Sequence, residues 1–100
     1  MTKNDKKLQL LRKLINNKLT PKNHLRMLYN DGDEIKDIII EKETIRDDFY
    51  SILWDDYNSF MTTNSPFEEV LVMIKANNWK VEDFYICEGR LIHNLYFGSK

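Results

Sequence analysis

The side chains able to do chemistry are few. His24 and His93 are the only histidines, and Cys87 is the only thiol. A structural zinc site needs four Cys or His ligands at short, regular spacings, and three isolated residues cannot supply them. Cys87 precedes an expected turn inside a strand with no helix N-terminus after it to lower its pKa, so it reads as a buried, inert thiol. His93 falls on an apolar alternation and reads as structural. His24 lies beside Lys22 and Arg26 and reads as a surface residue. The run Asn30-Asp31-Gly32-Asp33-Glu34 has the flavour of a calcium loop. An EF-hand needs acids at odd positions before its glycine and a Glu six residues after it. Met27 and Ile38 stand at two of those positions and exclude it. The three glycines are isolated, so no phosphate-cradling loop exists. The acid pairs Asp47-Asp48 and Asp55-Asp56 could serve as general acid and base only in a cleft that separates their pKa values. On a charged helix face they are solvated. The expectation is a protein that is not an enzyme, holds no metal or cofactor, and acts on no small-molecule substrate.

Two constellations suit binding instead. Read as a helix, residues 45–61 carry an inward stripe of Ile45, Phe49, Ile52, Leu53 and Phe60. Beside it runs a second stripe: Tyr50, Trp54, Tyr57 and Met61. At about 100° per residue the apolar arc spans roughly 200°, more than one core contact needs. Either the helix is sandwiched between layers, or the second stripe meets a partner, with Asp47 and Asp55 on the far side as a rim. Asp56 falls near the middle of the inward stripe and fits this phase badly.

The other constellation is basic. A helix over 4–17 followed by one over 21–30 would make a helix-turn-helix with a C-terminal wing. Lys22, Asn23, Arg26 and Asn30 would face the major groove, where Arg reads guanine and Asn reads adenine. Arg12, Lys13 and Lys18, with Lys7, would meet phosphates. The acids spaced over Asp47–Asp56 could themselves imitate a phosphate array and occupy the basic groove of a nucleic-acid enzyme.

Charge is segregated along the chain. Residues 1–30 balance to +7, residues 31–69 to −9 and residues 70–100 to +1, within a net charge of −1. Either the halves neutralise one another in one fold, or each end meets a charged partner. The N-terminus is basic but contains no apolar run long enough for a signal peptide. No segment approaches the roughly 20 apolar residues that span a bilayer. A lone thiol suits a reducing compartment, so a cytoplasmic protein is expected. The abundance of Lys, Asn and Ile suits AT-rich coding sequence and points to a low-GC bacterium, a phage or another mobile element.

One domain over residues 1–100 follows from length. Leu8, Leu11, Ile15 and Leu19 mark the first helix. Thr20-Pro21 reads as the start of the second, burying Leu25, Leu28 and Tyr29, and Asn30-Asp31-Gly32 as its stop. Residues 34–43 fit a helix or a short strand near 37–41. Thr44 starts the aromatic helix. Ser65-Pro66-Phe67-Glu68 starts another, with a capping box and Phe67, Val70, Leu71 and Ile74 inward; Asn77-Asn78 ends it. Val81 to Phe97, pivoting on Glu88-Gly89, reads as a β-hairpin that pairs Ile86 with Leu91. The expected fold is α+β, with about four helices and a C-terminal hairpin. The expected function is a small intracellular regulator or inhibitor that binds a protein partner or itself. The alternative is winged-helix-like DNA binding through residues 4–30.

Overall fold

A computed structural model describes residues 2–44, 48–56 and 59–92, and the backbone alone at 55, 56 and 59–61. The elements in chain order are α1 (Lys3–Lys18), β1 (Asn23–Asp31), β2 (Glu34–Lys42), β3 (Phe49–Asp56), β4 (Ser59–Pro66), α2 (Phe67–Ala76) and β5 (Lys80–Glu88). The strands form one sheet in the order β4-β3-β2-β1-β5, with every neighbouring pair antiparallel. Thus β1 to β4 form a meander, α2 crosses back over it, and β5 closes the far edge against β1. The expectation of four helices and a C-terminal hairpin is overturned: two helices cover a five-stranded sheet.

Three segments were misassigned, each for a physical reason. In residues 21–30 the helical spacing of Leu25, Leu28 and Tyr29 competes with a period-2 set, Leu25, Met27 and Tyr29. The second set is the buried one, and strand pairing on both sides decides the matter. Thr20-Pro21 does not cap a helix. It opens a β-turn in which the Asn23 N–H donates to the Thr20 carbonyl at 3.3 Å, with proline in its favoured second place. The Gly32-Asp33 pair closes the β1–β2 hairpin, since Asp31 pairs with Glu34. Gly32 has φ +69° and Asp33 does not have a positive φ, as type II′ requires.

Residues 49–56 and 59–66 pair as antiparallel strands, not as one helix. Tyr50, Ile52 and Trp54 alternate onto the helix-covered face, while Leu53 is buried on the other face against Ile39 and Ile92. A strand apolar on both faces imitates a helix with an over-wide apolar arc. The awkward phase of Asp56 was a symptom of the wrong period. Residues 34–43, ambiguous in sequence, are β2, and Ile38, Ile39 and Ile40 fill both sides of it.

The expected C-terminal hairpin fails beyond its first strand. Gly89 does turn, with φ +85°. The chain then leaves the sheet, and Ile86 pairs with Leu25 instead of Leu91.

The expected stripe of the first helix holds in α1. Thr2 caps it through a capping box with Asp5, and Leu8, Leu11, Ile15 and Leu19 are buried. In α2 the four expected core residues are buried, but Ser65 is engaged in β4 opposite Tyr50 and no side chain caps the helix. Asn78 ends it in the left-handed region at φ +54°.

The main core lies between the helices and one sheet face. It gathers Leu11, Ile15, Met27, Ile38, Ile52 and Ile74, with the Tyr29 and Trp79 rings 4.5 Å apart. Neither described helix is long and apolar enough to cross a membrane.

Candidate protein-binding face

Neither α1 nor α2 covers the sheet's other face. Alternation sends His24, Arg26, Leu28 and Asn30 of β1 to it, with Ile35, Asp37, Ile39 and Glu41 of β2. Cross-strand registry adds Ser51 and Leu53 from β3, and Asp83, Tyr85 and Cys87 from β5. This face divides into two halves.

One half is covered by the chain itself. After Gly89, Leu91 and Ile92 lie over Ile39 and Leu53. The strap is fixed by Glu41, which is 0% exposed. The Arg90 guanidinium donates to Glu41 Oε1 at 2.9 Å, and the Ile92 N–H donates to Oε2 at 2.8 Å. His24 assists from β1: its Nδ1 lies 2.7 Å from the Gly89 carbonyl. A carbonyl only accepts, so Nδ1 carries the proton. The Gly89 N–H also donates to the Lys22 carbonyl at 3.0 Å. His24 is therefore 7% exposed and structural, not the surface residue expected. Cys87 is opposite it in the ladder, free and half-buried.

The other half is open. Ile35 is 67% exposed and Tyr85 41%. Leu28 lies half-buried between them. Arg26 spans this patch: its Nε donates to Asp37 Oδ2 at 3.1 Å, and its terminal nitrogen reaches the same oxygen. That hydrogen bond raises the Arg26 pKa above its already high ordinary value. Asp33 and Glu34 are exposed at its hairpin end, and Asp83 is exposed directly opposite Leu28 in the ladder. An apolar patch with an acidic rim can bury aliphatic or aromatic side chains and orient a basic flank by long-range attraction.

The sequence-derived candidates are scattered by this fold. Tyr50 is buried on the helix-covered face, edge-on to Phe67 with centroids 6.0 Å apart. Trp54 is on that face too, partly buried against the core and paired with Ile38 and Met61. Asp55 pairs with Phe60 in the ladder, and its side chain is outside the described residues, as is that of Met61. Asp47 and Tyr57 also lie outside the described residues. No helical stripe joins the four.

The basic set fares similarly. Residues 23–31 are a strand, so the expected recognition helix does not exist. Asn23 ties the β-turn, accepting from the Thr20 N–H and donating to the Lys18 carbonyl. Arg26 is held by Asp37, Asn30 donates to Glu82, and Arg12 is ion-paired with Glu68 on α2. Lys13, Lys18 and Lys22 remain exposed.

Sequence reasoning missed Ile35, Tyr85 and the Glu41–Arg90 latch. Ile35 and Tyr85 had a readable signal, since each stands in phase with polar residues on a strand. The latch had none, because it joins positions 49 residues apart. No protein-family profile matches the chain, nor does any curated protein or any solved structure.

Proposed function

We propose that the protein is a non-enzymatic regulator or inhibitor that works by docking on another protein through the open half of its sheet. The observation that carries this reading is the division of one face. Ile39 and Leu53 are sealed by the chain's own Leu91 and Ile92, while on the same face Ile35 and Tyr85 are exposed and Leu28 is half-buried. The sealed half supports this reading, since a short apolar segment, Leu91-Ile92, packs on the same face. The acidic rim selects a partner segment with basic flanks. The free thiol of Cys87 suits a protein that works in a reducing compartment.

The test is retention of a partner on the immobilised full chain, with single surface charges introduced on opposite sides. Ile35→Asp places a carboxylate in the open patch. Val72→Asp places one on the exposed surface of α2, where Val72 is 65% exposed. The expected result is a partner kept by the parent and by Val72→Asp but lost with Ile35→Asp, with circular dichroism unchanged in all three. Retention by Ile35→Asp, or loss with Val72→Asp alone, would move the contact to the helical side. Sedimentation of the chain alone distinguishes a foreign partner from a second copy.

A further inference from the structure

The helical side carries a separate feature of opposite charge. A cleft of about 570 Å³ opens at the start of α1, beside the connection from α2 to β5. A second of about 580 Å³ runs between α1 and α2, and the two share Asp5 and Lys75. Together they form an elongated groove from Lys80 to Arg12. Each volume lies within the range of ligand pockets.

Leu8, Leu71, Ile74 and Trp79 of the core lie at the groove's floor, each no more than 8% exposed. The walls carry five cations, Lys3, Lys7, Arg12, Lys75 and Lys80, against the carboxylates Asp5 and Glu82. That excess is found in a chain whose net charge is −1. Not all of these charges are free. Lys7 donates to the Val81 and Glu82 carbonyls at 3.2 and 2.9 Å, and Arg12 is paired with Glu68. Lys3, Lys75 and Lys80 make no ion pair among the described residues. Asp5 is occupied by its own cap, accepting from the Thr2 N–H at 3.3 Å.

We infer that this groove binds an acidic peptide segment of a partner protein, with carboxylates on Lys3, Lys75 and Lys80 and aliphatic side chains on the floor between Leu8 and Leu71. The spread of the cations decides between this occupant and a bare phosphate. Lys3, Lys75 and Lys80 line a groove that continues to Arg12, and carboxylates spaced along a chain match that length as one small anion does not. The length agrees: Lys3 to Arg12 on α1 is about 13 Å, the reach of four extended residues. The groove adjoins the open sheet half at Glu82, which accepts from Asn30. The substitutions that test the two surfaces, Ile35→Asp and Lys75→Glu/Lys80→Glu, share no residue, so either can fail without the other.

The probe is a fluorescein-labelled octapeptide of alternating glutamate and leucine, titrated with the full chain and read by anisotropy. Binding is expected at about 50 mM salt and should weaken severalfold at about 200 mM, where exposed charges are screened. The double variant Lys75→Glu/Lys80→Glu should lose roughly tenfold or more in affinity. The control Lys13→Glu/Lys18→Glu changes net charge equally, away from the groove, and should bind as the parent does. Circular dichroism establishes that both variants fold. Equal loss in the two doubles would overturn the site, as would no binding at the lower salt. Binding of inorganic pyrophosphate or duplex DNA with the same lysine dependence, but not of the peptide, would overturn the occupant. So would self-association of the chain abolished by Lys75→Glu/Lys80→Glu.

Discussion

The two faces of the sheet are closed by different means. On one, α1 and α2 bury Met27, Tyr29, Ile38, Ile40 and Ile52 among themselves and the helical leucines. No single contact dominates there, and stability follows the apolar area removed from water. On the other, Leu91 and Ile92 cover Ile39 and Leu53, and the cover is held by one buried carboxylate. The first closure is cooperative with the whole fold. The second is a local latch, because it occupies half of a face and is anchored by Glu41 and, at the turn before it, by His24. A sheet sealed in this way leaves Ile35 and Tyr85 of one face exposed while the core behind them stays closed.

Substitutions at three depths test that distinction. Ile40→Ala removes a fully buried side chain from the helix-covered face and should cost about 2–5 kcal/mol in denaturant unfolding, with the transition still cooperative. Glu41→Ala removes the latch and leaves the Ile92 N–H without its acceptor. The expected cost is smaller, about 1–3 kcal/mol, because Arg90 can turn to water. Hydrogen exchange at Ile92 should rise sharply while exchange at Met27 and Ile38 changes little. Equal exchange gains on both faces would show that the strap belongs to the global unit and would break the comparison.

Tyr85→Ser and Ile35→Ser should change stability by no more than about 0.5 kcal/mol, since neither side chain is buried. The smallest effect concerns the helical layer in acid. The Glu68 carboxyl is held below its ordinary 4.5 first by its hydrogen bond to Arg12, and Asp5 below 3.8 by the Thr2 side chain and backbone. A depressed folded pKa stabilises above the unfolded value and loses that contribution as pH falls through the folded one. The stability difference between the parent and Glu68→Gln should therefore be constant above about pH 5 and shrink toward zero in acid. Both carboxylates are exposed, so salt should diminish it further.

Much of the helical layer was legible in the sequence, because its signals are local. The spacing of Leu8, Leu11 and Ile15 and the run from Phe67 to Ile74 each belong to one helix that buries one stripe. The sheet was not legible, because its central strands are apolar on both sides. Ile38-Ile39-Ile40 and Ile52-Leu53 have no alternation to read, and their neighbours in space come from distant parts of the chain. The candidate face suffered most. Its members, Leu28, Ile35 and Tyr85, sit on three strands and share no segment. The groove cations were visible as a basic N-terminus, but their gathering with Lys75 and Lys80 depends on how the connection into β5 packs against α1.

The most direct test of the open sheet half as the functional surface is site-specific photo-crosslinking. A photoreactive phenylalanine analogue is placed at position 85 or, as the comparison, at position 72 on α2, and the full chain is irradiated with extract of its source cells. The account predicts a discrete adduct of one defined protein from position 85, abolished by Ile35→Asp in the same chain, and none from position 72. The same adduct from position 72 alone, or an adduct from position 85 that survives Ile35→Asp, would contradict it.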